Sequence, residues 1–192
     1  MKLYDISQEV FSCRVYPGDP KPEKQVLCAM DCGELYNLSA FSMCAHNGTH
    51  IDVPFHFLKD GKTVDQMELS IFAGDCYVAR HHGNVGRADA AAILKKAEGA
   101  ERILIAGDAT ITTPAAEVFA ASGIKLIGNE SQTVGPEEAP MQVHLVLLRA
   151  GIALLEGVVL SDVPEGRYLL SAAPLNLAGS DGAPCRAYLM EV

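Results

Sequence analysis

Short apolar runs alternate with turn residues along this chain, and their spacing divides it into helices and strands. Residues 1–16 are short and apolar before Pro17-Gly18-Asp19-Pro20, where proline fixes φ and glycine supplies the angles of a tight turn. A strand, a turn and a further extended segment are predicted there. Residues 89–97, Asp-Ala-Ala-Ala-Ile-Leu-Lys-Lys-Ala, read as a short helix with an acidic start and Gly99 beyond its end. The run Arg-Ile-Leu-Ile-Ala at 102–106 reads as an apolar strand. Thr113-Pro114 opens a second helix through Ala121, with Gly123 past its end and a strand at 124–127. A third helix at 143–150 closes on Gly151, and a strand at 152–155 leads into Glu156. Two more strands, 167–170 and 188–190, flank a Gly- and Pro-rich turn. Helices and strands in alternation predict the α/β class, with mixed sheets and flanking helices. No repeat, low-complexity tract or long linker interrupts the pattern, so 1–192 is expected to form a single domain.

Charge narrows the choice of partners. The formal net charge of −9 disfavours a polyanion, because phosphate-backbone binding needs clustered Lys and Arg. No nucleic-acid partner is expected. The opening Met1-Lys2-Leu3-Tyr4-Asp5 lacks the pattern of a signal peptide, and no segment has the apolar length of a membrane span, so a cytoplasmic protein without a membrane partner is expected. Six cysteines scattered through a chain of this size read as reduced, mostly buried thiols. Cys28 and Cys32 are too widely spaced for a C-x-x-C pair.

The candidate chemistry is concentrated in Cys44-Ala45-His46-Asn47-Gly48-Thr49-His50-Ile51-Asp52-Val53-Pro54-Phe55-His56-Phe57. Gly48, Pro54 and the β-branched Thr49, Ile51 and Val53 disfavour a helix. On a strand, His50 and Asp52 share a face, and a turn at Asn47-Gly48 brings His46 back beside them. Neutral imidazole and carboxylate suit zinc, manganese or iron, and a carboxylate can bridge two ions. A lone histidine here would more often be a hydrogen-bonded structural residue. Four polar side chains among Ile51, Val53, Phe55 and Phe57 instead argue for a metal, since burying them without one costs several kcal/mol. Further donors in apolar surroundings are His144 and Glu156, either of which alone reads as a surface or locally bonded group. His81 and His82 read as surface loop residues.

His46-Asn47-Gly48-Thr49-His50-Ile51-Asp52-Val53-Pro54-Phe55-His56-Phe57 resembles the signature of the metal-dependent cyclase family, which includes bacterial kynurenine formamidases and isatin hydrolases. The resemblance runs from Leu3-Tyr4-Asp5-Ile6-Ser7 and Tyr16-Pro17-Gly18-Asp19-Pro20 to Gly182-Ala183-Pro184-Cys185-Arg186-Ala187. It implies a swivelling β/β/α domain with two divalent metal ions, Zn²⁺ foremost and Mn²⁺ as the alternative. His46, His50 and Asp52 would hold one ion. Asp52, His144 and Glu156 would hold the other, with Glu156 also reaching the first. His56 corresponds to the proton donor and acceptor, and Tyr16 to an aromatic that touches substrate. A homodimer or homotetramer is implied as well. The chain departs from its relatives at Tyr16, where formamidases carry Trp, and at Gly128-Asn129-Glu130-Ser131-Gln132-Thr133, where relatives read Gly-Ile-Asp-Thr-Pro-Ser. Ala106-Gly107 stands where Arg-Thr is common.

The expected activity is hydrolysis of the carbonyl of a small amide, formamide or lactone by a metal-activated water, with N-formylkynurenine as the specific substrate in view. A cyclase or dehydratase working through an enolate uses the same groups. A non-catalytic metal or small-ligand module is the third reading, although structural zinc sites more often include cysteine.

Overall fold

The computed structural model describes residues 1–192. Its strands are β1 (Leu3–Asp5), β2 (Glu23–Cys28), β3 (Leu38–Ser42), β4 (His50–Asp52), β5 (Ala73–Arg80), β6 (Gly83–Val85), β7 (Arg102–Ala106), β8 (Ala109–Ile111), β9 (Leu126–Asn129), β10 (Ala153–Glu156), β11 (Gly166–Ser171), β12 (Gly182–Pro184) and β13 (Tyr188–Glu191). The helices are α1 (Arg87–Ala97), α2 (Thr113–Ala120) and α3 (Met141–Arg149).

Nine strands form one mixed sheet in the order β1-β13-β11-β5-β7-β9-β10-β4-β12, and β2–β3 and β6–β8 form two small sheets. Within the large sheet, β5, β7, β9 and β10 are parallel neighbours. Parallel neighbours need crossover connections, which α1, α2 and α3 supply in turn. The outer pairings are antiparallel. Strands β7, β9 and β10 are buried throughout because both faces are covered. Alternate residues feed two cores. Cys76, Val78, Leu104 and Leu155 enter one, and Tyr77, Ala79, Ile103, Ile105 and Leu154 enter the other, beneath the helices.

The α/β class and the flanking helices agree with the sequence reading, with local differences. Helix α1 starts two residues before 89–97: Asp89 is not its first residue but accepts from the Gly86 N–H at 2.9 Å, closing the first turn. The strand expected at 124–127 begins at Leu126, because the chain is still leaving α2 through Ser122, whose N–H donates to Phe119 O. Strand 102–106 is not wholly apolar in its chemistry. Arg102 is buried, and its guanidinium donates to the carbonyls of Ile71, Ser70 and Asp75. The turn expected after residue 170 contains β12, which pairs with β4. All six cysteines are free, but only Cys76 is buried, because the others lie in loops and in the β2–β3 hairpin. No helix is long and apolar enough to cross a membrane.

Candidate metal centre

Strand β4 lies between β10 and β12, with His50 opposite Glu156 and Pro184, and Asp52 opposite Leu154 and Gly182. The two-residue repeat sends His50 and Asp52 to one face and Ile51 into the core on the other. Glu156, directly across from His50, shares the histidine's face. Before β4 the chain reverses through Gly48, whose φ is +65° and where a Cβ would lie 3.0 Å from Cys13 Cβ. This turn returns His46 to the strand. Gly182 makes room for its ring, since a Cβ there would sit 2.6 Å from His46 Cε1. His56 closes the short 3₁₀ turn Pro54–His56, and His144 lies on the buried side of α3.

Two of these histidines have one nitrogen committed to an outer acceptor. His50 Nδ1 donates to Gly48 O at 3.0 Å, and His144 Nδ1 donates to Pro140 O at 2.9 Å. In the neutral form that a metal requires, the remaining Nε2 of each ring carries a lone pair. His50 Nε2 faces Asp52 Oδ1 at 3.3 Å and Glu156 Oε2 at 3.4 Å. His144 Nε2 faces Glu156 Oε1 at 3.2 Å and Asp52 Oδ2 at 3.6 Å. His46 Nδ1 lies 2.7 Å from Asp52 Oδ1. Lone pairs pointing at carboxylate oxygens repel unless a cation stands between them. His50 Nε2 is fully buried without a hydrogen-bond partner.

The electrostatics follow from that convergence. Burial disfavours charge on His46, yet Asp181 and Asp52 beside it push its pKa up to about 11. Against the same burial, Asp52 and Glu156 raise His50 to about 9 and His144 to about 10. Burial raises the Asp52 carboxyl, but His144, His46 and His50 overcome it and hold Asp52 well below the usual carboxylate range. Glu156 is lowered by His144 and His50 despite its burial and the charge of Asp52. Such a cluster demands positive charge, supplied by protons or by metal. Imidazole and carboxylate oriented by outer hydrogen bonds fit divalent cations. The two oxygens of Asp52 face different histidines, as do those of Glu156, which suits a carboxylate-bridged pair of ions. Potential ligand atoms of His46, Asp52 and His56, and those of His50, Asp52 and Glu156, lie within 4.8 Å of one another in each group. His56 thus joins the same cluster, although at 3.8 Å it stands farther from Asp52 than His46, His50 or His144 do.

His56 Nε2 faces Asp52 Oδ2 at 3.8 Å, and its Nδ1 lies 3.1 Å from Asp181 Oδ2. Asp181 also reaches His46 Nε2, at 2.9 Å. Sequence reasoning missed Asp181, which lies in the segment read as a turn. The only available signal was an acidic residue directly before Gly182-Ala183-Pro184.

The centre opens into a cavity of about 240 Å³ that also exposes Tyr16, Asp19, Cys44, Phe57, Gln132 and Thr133. Tyr16 therefore lies at the cavity, its hydroxyl donating to Glu137 O at 2.7 Å. Within the divergent loop at 128–133, Glu130 turns away from the centre to accept from the N–H groups of Gly107 and Leu160. Gln132 and Thr133 carry the loop's contribution to the cavity wall. His82 is an exposed partner of Asp108, away from the centre.

The family profile described as putative cyclase matches residues 4–136. This chain belongs to the cyclase family. Among curated members, a kynurenine formamidase of Erythrobacter litoralis is 35% identical over all of this chain and 94% of its own length. A kynurenine formamidase of Sphingopyxis alaskensis is 33% identical, covering all of this chain and 99% of its own. The fold is shared with isatin hydrolase A of Labrenzia aggregata, at a TM-score of 0.85, 20% identity and coverage of 98% and 93% of the two chains. A predicted metal-dependent hydrolase from Bacillus stearothermophilus superposes with a TM-score of 0.82 at 26% identity, covering 98% of this chain and 97% of that one. The β/β/α architecture of this cyclase-family member is thus the family's.

Proposed function

We propose that this chain is a metal-dependent amidohydrolase that cleaves a small formamide or related amide, with N-formylkynurenine, giving kynurenine and formate, as the leading substrate. The observation that carries the reading is the convergence of three imidazole nitrogens on Asp52 and Glu156, with His56 Nε2 facing the same point. The full-length likeness to kynurenine formamidases supports the choice of substrate.

His46, His50 and Asp52 would hold one divalent ion, and Asp52, His144 and Glu156 the other, Zn²⁺ or Mn²⁺ by donor type. Bound there, such ions polarise a carbonyl and bring the pKa of a water toward roughly 7. His56 accepts the proton of the attacking water at Nε2 and delivers it to the leaving nitrogen. Its Nδ1 is already committed to Asp181, so only Nε2 is open for transfer. Phe57 and Tyr16 present ring surface to the substrate, while Gln132 and Thr133 offer polar contacts. Gln132 is steadied by donating to Gly48 O at 3.1 Å and accepting from Gln8 Nε2 at 2.9 Å.

The test is formate release from N-formylkynurenine by metal-free, zinc-loaded and manganese-loaded protein, with elemental analysis of each sample. Metal-dependent release is the expected result. Loaded protein inert to formamides, cyclic amides and lactones alike, and unfolded by chelation, would replace this reading with a structural ion site. Solvent ¹⁸O must enter the acid product; its absence would point to cyclisation or dehydration instead.

A further inference from the structure

We propose that Asp181 is a positioning residue serving two histidines at once, fixing the ring tautomer of the metal-facing His46 and of the proton-transferring His56. A single oxygen, Oδ2, lies 2.9 Å from His46 Nε2 and 3.1 Å from His56 Nδ1. An ionised carboxylate only accepts, so both nitrogens donate to it. In the neutral rings, that leaves the lone pair of His46 on Nδ1, which faces Asp52 Oδ1, and that of His56 on Nε2, which faces Asp52 Oδ2. The two rings stack with centroids 4.1 Å apart and planes 32° apart, so one acceptor at their shared edge sets the rotation of both.

The backbone makes Asp181 a fixed point. Its carbonyl accepts from Val53 N–H at 3.2 Å, Ser180 O accepts from Val64 N–H at 3.0 Å, and Gly182 is in register with Asp52. The absent Cβ at Gly182 is what lets the His46 ring approach this strand. The Asp181 side chain is 43% exposed, unlike the fully enclosed Asp52, so it stands on the outer side of both histidines. Outer carboxylates of this kind fix ligand orientation, and their loss typically costs about 10–100-fold in metal affinity or activity.

The role of His56 rests on the hydrolase reading, whereas the role toward His46 does not. The experiment therefore combines calorimetric Zn²⁺ and Mn²⁺ titration with ¹⁵N spectra of the ring nitrogens, on wild type, D181A and the isosteric D181N. In D181A, metal affinity should fall about 10–100-fold and His56 should pass from a single Nδ1–H form to a tautomer mixture. D181N, which keeps one acceptor oxygen for the place of Oδ2 but loses the carboxylate charge, should lie between. Where wild type hydrolyses the chosen formamide, D181A should lower kcat more than it raises KM. In an H56A background, D181A should still weaken metal binding, because its contact with His46 does not depend on His56. Unaltered metal affinity together with an unaltered His56 tautomer in D181A would overturn the proposal, even if no substrate were ever found. A collapse of the folded state in D181N would overturn it too, by making Asp181 a general structural residue.

Discussion

Strand β4 and the β2–β3 hairpin are both antiparallel, yet β4 buries every residue between β10 and β12, whereas the hairpin buries none. Around β4 the chain supplies both neighbours itself, so costly groups such as His50 and Asp52 can be enclosed and their charge balanced internally. The hairpin leaves Val26, Leu27, Leu38 and Phe41 largely exposed, with Phe11 set edge-on against Phe41. Two strands alone are marginal in water. One region is therefore complete within the chain, and the other leaves an apolar face open, the place to test the homodimer or homotetramer expected from the sequence.

The sharpest way to break this comparison is Asp52→Ala. It leaves three buried imidazoles short of a counter-charge, so metal uptake and turnover should vanish and the metal-free fold should lose about 3–5 kcal/mol, read by denaturant melts. Retained metal at native stoichiometry would contradict it. His56→Ala should be milder, lowering kcat about 10²–10⁴-fold while elemental analysis finds the metal unchanged. Parallel loss of metal and activity would make His56 a ligand.

The third effect is a pH dependence with opposite signs in two forms of the protein. His46, His50 and His144 are raised from 6.5 to about 11, 9 and 10 without metal. Their stabilising contribution is then complete below pH 6.5 and is lost as pH rises through 9 to 11. Metal requires the neutral imidazoles, so it binds more tightly as pH rises. Melting curves at pH 6, 7.5 and 9 should show a Tm gap between loaded and chelated protein that widens with pH; a constant gap would remove the coupling.

The smallest effect belongs to the hairpin. Leu38→Glu with Phe41→Glu should leave metal content intact and shift the sedimentation mass toward a single chain. A wild-type protein that already sediments as one chain would end the assembly expectation.

Legibility in the sequence followed the distance over which a signal acts. His50 and Asp52 sharing a face, the Gly48 turn and the α1, α2 and α3 segments are local, and period and turn chemistry reveal them. His144 and Glu156 join the centre only through the β9–α3–β10 crossover, so their spacing carried no message and resemblance to the family was needed. Asp181 was not legible, because three-residue β12 has no alternation to read and its pairing with β4 spans most of the chain. The exposure of β2 and β3 also escaped notice, since apolar residues on an arm look locally like those in a core.

The pairing of β12 with β4 has a consequence for the order in which this protein matures. His46 and the carboxylate that braces it are separated by 135 positions, so no early fragment emerging from the ribosome holds the whole constellation. Loop closure over such a span is slow relative to local folding. A nascent chain would show its helices and the β5–β7 pairing before Asp181 could brace His46.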